Sequence, residues 1–276
     1  MFTPVLDAPN CIPAERFSLQ LFIDRRLVEF PPDFVEHAYS TNGAVVGDKQ
    51  DHSSAFQLVL VGFSTDSGSG TRDRVYCLET SKWEELISVA ERCALSHLPC
   101  TLVGQQLYWW LTEPGHGIME LNLDNRSLVV LSRPPIDNIH RRGSRIIRAE
   151  DGGVGLAVFS YPSFQLWDCN ISGQGVATWV LHKTVDMHGI LDLPSWMDPG
   201  TSTILRYAED ADFAIILVHS GGHVYVFLLQ LDSMQCKQLH GNFTENLYYL
   251  YTNLYASALR LLACLDNDRA AAVPQA

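Results

Sequence analysis

Few residues in this chain of 276 have the types and spacing for chemistry. His219 and His223 flank Gly221-Gly222. A hairpin turn at the glycines would bring two imidazoles together, which is the start of a metal site. Asp186, His188 and Asp192 are the further ligands that a fold would have to supply. The other reading is ordinary strand-end histidines, and no metal is expected. Arg141, Arg142 and Arg145 belong to the basic cluster HRRGSRIIR (His140–Arg148), with Arg133 nearby. Guanidinium groups bind carboxylates and phosphates through paired hydrogen bonds, so this cluster would hold an acidic or phosphorylated peptide. The alternative is a solvated loop whose arginines pair with Glu150 and Asp151. Trp109 and Trp110 are the aromatics most suited to anchor a partner, against a core role for the aromatics as a set.

No Ser/His/Asp, Cys/His or paired-carboxylate arrangement stands out, so the chain reads as non-catalytic. Gly152-Gly153-x-Gly155 lies between strands and opens no helix, so it is not a dinucleotide fingerprint and no cofactor is expected. STDSGSGT (Ser64–Thr71) matches the Ser-x-Asp-x-Gly box of sialidase-type propellers, but the final Trp is absent and the match occurs in one unit, so a flexible loop is expected.

The formal net charge is −12, with 47% hydrophobic and 18% charged residues. This is a globular composition, and its acidity disfavours general binding to nucleic acid or anionic membranes. Seven widely spaced cysteines with no CxxC argue against a disulfide framework or structural zinc. Sequons at Asn125, Asn170 and Asn242 read as chance, because the N-terminus has no secretory leader pattern. No apolar run is long enough to span a bilayer. A cytoplasmic or nuclear location is expected.

The elements that must position these residues recur four times. FQLVLVGF, LYWWL, GLAVFS and FAIILVHS each precede a second strand, at RVYCLE, GIMELNL, FQLWDCN and HVYVFLLQL. Third strands follow at KWEEL, SLVVL, ATWVLHKTV and CKQL, and short apolar segments lead in at GAVVG, TLVG, RIIRAE and TILRYAE. Four short strands per unit, repeating every ~40–60 residues, read as radially arranged β-sheets. The expected fold is all-β: a kelch-like β-propeller of about four blades, with ring closure left open, and a short C-terminal helix. Residues 1–41 are assigned to a linker and partial first blade, 42–258 to the blades, and 259–276 to the C-terminal end and a disordered tail. SKWEELISVAERCAL has a helical look, but the repeat frame favours a strand at its start.

FTPVLDAPNCIPAERFSL, GAVVGD, RVYCLETSKW, LVGQQLYWWL, GIMELNLDNRSLVVLSRPP and RAEDGGVGLAVFSYPSFQLW, in this order, resemble the F-box-associated β-propeller domain of large plant F-box protein families. The resemblance runs from about residue 2 to about residue 258. It implies substrate recognition in an SCF-type ubiquitin ligase complex, with an F-box docking on a Skp-type adaptor. No F-box segment is visible, so adaptor binding would need one upstream. The alternatives are a stand-alone propeller scaffold or decoy, a propeller hydrolase, and a decayed gene product that does not fold stably. The protein substrate is not named by any of these residues.

Overall fold

The computed structural model describes residues 18–21, 26–29, 38–47, 56–66, 70–78, 83–89, 94–96, 98–113, 117–136, 143–172, 176–193, 201–209, 211–220 and 223–239. Among them the structure is strand with one short helix. β1 (Ser18–Leu21) and β2 (Arg26–Glu29) pair antiparallel. Four antiparallel sheets then follow in chain order.

The first sheet runs β3 (Ala38–Gly47), β4 (Phe56–Asp66), β5 (Gly70–Leu78), β6 (Trp83–Val89). The second contains β7 (Ala94–Leu95), β8 (Thr101–Val103), β9 (Gln106–Glu113), β10 (Ile118–Asn122) and β11 (Ser127–Leu131). Here β7 and β8 pair with opposite ends of β9, so two short pieces share one sheet position. The third runs β12 (Ser144–Arg148), β13 (Val154–Ser160), β14 (Ser163–Ile171), β15 (Ala177–Asp186). Helix α1 (His188–Leu191) follows it. The fourth runs β16 (Ser202–Ala208), β17 (Phe213–Ser220), β18 (His223–Gln230), β19 (Cys236–Leu239).

Turn chemistry sets these meanders. Asn122 Oδ1 accepts from the Asp124 and Asn125 amides, and Arg126 turns the chain at φ 56°. Asp151 Oδ1 accepts from the Gly153 amide beside Gly152 at φ 86°, a conformation that costs glycine little. Strand position in the sheet then sets composition. β17 is buried on both faces over most of its length and reads as a continuous apolar run, FAIILVHS. β15, at the outer position, is mostly exposed.

The chain divides into two compact units, residues 1–133 with 171–177, and residues 134–170 with 178–276. In the first, Leu107, Trp109 and Leu111 of β9 and Met119 and Leu121 of β10 pack with Ala44, Val59 and Val61. In the second, Ala157, Phe159 and Phe164 of the third sheet pack with Ile204, Ala214, Ile216 and Phe227 of the fourth, under Met187 and Leu191 at α1. Burial of this kind makes truncation of a core aromatic such as Trp109 cost about 3–5 kcal/mol.

Each repeated strand segment read from the sequence overlaps a strand, some running past its end by one or two residues, and the stretch at Lys82 gives β6. Three details differ. The first sheet begins at Ala38 instead of Asn42, because β3 pairs with β4 as far as Ala38↔Ser64. The expected loop at Ser64–Thr71 is partly sheet, since Ser64 pairs with Arg72, Thr65 with Thr71 and Asp66 with Gly70. The short strand β7 and helix α1 carried no clear signal. The C-terminal helix and tail lie outside the described residues.

Candidate functional site

The two tryptophans proposed as surface anchors are core residues. Trp109 is 0% exposed and Trp110 5%. They follow one another on β9 and so point to opposite faces. Trp109 joins the apolar cluster described above. Trp110 lies opposite Ile118 and shares its face with Tyr108 and Glu120, which are opposite each other. Glu120 is buried, and burial raises its carboxyl above the ordinary range despite a hydrogen bond from Tyr108. Neither indole N–H has a hydrogen-bond partner among the described residues.

Of the basic cluster, Arg141 and Arg142 lie outside the described residues. Arg145 does not belong to a solvated loop. It sits on β12, 6% exposed, and donates through Nη1 to the Ser144 carbonyl at 2.7 Å and through Nη2 to the Leu205 carbonyl at 3.2 Å. β16 shifts register between Ile204 and Arg206, and the carbonyl of the intervening Leu205 is the one Arg145 takes. The side chain therefore ties the first strand of the third sheet to the first strand of the fourth. Burial, with the Arg206 charge second, lowers its pKa to about 9.

The histidines are dispersed. His223 lies opposite Ser220 across the β17–β18 hairpin and packs edge-on to Tyr225, with ring centroids 6.4 Å apart. His188 Nδ1 meets the Tyr161 hydroxyl at 2.8 Å, and its amide donates to Asp186 Oδ1 at 2.9 Å. Burial, with Asp186 second, raises the Tyr161 phenol. Among the described residues, no group of three or more His, Cys, Asp or Glu side chains is placed to hold a metal.

The polar contacts that the sequence did not single out gather in the second unit. His182 on β15 lies 3.0 Å from Asp168 of β14 and 3.4 Å from Glu150 in the β12–β13 turn. In the neighbouring sheet the Tyr207 hydroxyl donates to Asp212 Oδ1 at 3.0 Å and accepts from the Arg148 amide at 3.3 Å. Burial raises both the Tyr207 phenol and the Asp212 carboxyl. The signal that could have found this pair was the near-copy of Arg148-Ala149-Glu150-Asp151 in Arg206-Tyr207-Ala208-Glu209-Asp210. Burial also pushes the Cys236 thiol up to about 12, so it is a poor nucleophile.

On the edge strand β15, Val180 is 48% and Leu181 44% exposed. No family model matches the chain, and no curated protein matches it. Solved structures that align with it include these two. One is a chain in a complex of S. cerevisiae dbp5 with nup159, gle1, IP6 and ADP; it is 13% identical, with 72% of this chain and 58% of that chain covered, at a TM-score of 0.31. The other is TolB from Acinetobacter baumannii; it is 11% identical, with 78% of this chain and 55% of that chain covered, at a TM-score of 0.33. The chain thus spans a little over half the length of these solved chains. Likenesses at such scores say nothing of function. Among the described residues, no helix is long and apolar enough to cross a membrane.

Proposed function

We propose that the chain is a non-catalytic protein-interaction module whose four sheets are blades of a β-propeller, and that it recognises substrates for an SCF-type ubiquitin ligase. The observation that carries the reading is the succession of four antiparallel meanders in chain order. Central strands packed on both faces make such sheets rigid supports, and rigid supports hold turns and outer strands in fixed positions for a partner. The ligase role is the finer part of the proposal. It rests on the ordered motifs from GAVVGD to SYPSFQLW, which resemble F-box-associated domains.

Ubiquitin transfer tests it. The full chain is joined to an F-box and assembled with a Skp-type adaptor and a cullin. The expected result is a set of proteins modified with this assembly and left unmodified by the F-box alone. Identical sets with and without the chain would contradict the ligase role.

A further inference from the structure

The outer strands of the four sheets are not alike. β11 has five residues and β19 has four. Short edge strands are one of the ways proteins blunt a row of unpaired backbone groups. β15 has ten residues; at its start the Ser132 hydroxyl donates to the Ala177 carbonyl, and among the described residues no strand pairs with its outer side. Beyond Trp179, at ~3.3 Å per residue, it offers an edge on the order of 20 Å long.

The usual guards are weak there. β15 contains no proline. Its basic residues are His182 and Lys183. The imidazole of His182 is drawn back onto its own sheet by Asp168 and Glu150, at 3.0 and 3.4 Å. Lys183 is half-buried. Between these and Thr178 stand the exposed aliphatics Val180 and Leu181, on opposite faces of the strand. Carboxylates lie on the Val180 face: Glu150 and Asp168 at His182, and exposed Asp186 at the strand's end.

We propose that the outer edge of β15 accepts an extended, basic segment of a partner protein as an added strand. Main-chain hydrogen bonds along the edge supply affinity in this mode, and alternate side chains supply selectivity. Aliphatic side chains of the added segment cover Leu181 on one face, and the stems of its basic side chains lie over Val180 on the other. Basic side chains meet Glu150, Asp168 and Asp186, in keeping with a net charge of −12. The inference deepens the interaction-module reading and rests on it for the partner being a protein.

The test is fluorescence anisotropy of a labelled eight-residue peptide of alternating Lys and Val, titrated with the full chain. Saturable binding is expected. The same peptide N-methylated at alternate residues has the same charge but lacks donors along the pairing side; it should bind at least tenfold more weakly. Leu181→Asn should weaken binding by a similar factor while melting like the wild type. If that variant melts early, Val180→Thr, which preserves strand propensity, takes its place. A Glu–Val peptide should not bind. Absence of saturable binding, equal binding of the N-methylated peptide, or equal binding by a folded edge variant would each overturn the proposal. No ligase component enters this assay, so its failure is distinct from failure of ubiquitin transfer.

Discussion

Asp212 sits at φ 53° in the β16–β17 turn and accepts the Tyr207 hydroxyl. Burial holds its carboxyl above the ordinary range, outweighing that hydrogen bond. A carboxyl raised on folding contributes stability that is present in full below its unfolded pKa and is lost as pH rises through its folded value. Asp212→Asn retains an acceptor oxygen and tolerates the left-handed backbone. The variant should therefore melt about 1–2 °C above the wild type at pH 7, a modest gain because the group is only half-buried. The gain should vanish as pH falls toward 4. Calorimetry across this range checks it; a lower Tm for the variant at pH 7 would mean that the carboxylate is stabilising. The same principle explains Arg145. Its type and neighbours read as a surface cation, yet it is buried and donates to two backbone carbonyls, one from its own strand and one from the fourth sheet.

Within elements, close backbone approach sets the tolerance of each position. A Cβ at Gly117, at the entry to β10, would lie 2.5 Å from the Leu131 carbonyl oxygen of β11 and 3.2 Å from Val130 Cγ1. Backbone must move to admit it, so Gly117→Ala should cost about 1–3 kcal/mol in chemical denaturation. Gly189→Ala, where a Cβ meets nothing within 4 Å, should cost nothing. An equal loss at both positions would refute the packing argument. Strands were legible in the sequence because period-2 patterns and continuous apolar runs are local signals, as in FQLVLVGF and FAIILVHS. The repeat frame also settled β6, where propensity alone favoured a helix. Partners distant in sequence were not legible. Trp109 and Trp110 gave no sign of which faces would be covered, and Arg145 gave no sign that Leu205, sixty positions on, would present its carbonyl. The His182 contacts join three segments that no spacing rule connects.

At the scale of the molecule, the repeat in the sequence becomes four meanders in chain order, each with its last strand at an edge of its sheet. Function then depends on contrast: protected central strands, and an outer edge on β15 left for a partner. Hydrogen exchange of the full chain, followed by mass spectrometry with and without the Lys–Val peptide, measures both sides of that contrast. The account predicts slow exchange in β4, β9, β13 and β17, rapid exchange at alternate amides of β15, and slowing of those β15 amides when the peptide is added. Rapid exchange through the central strands, or β15 amides that ignore the peptide, would contradict it.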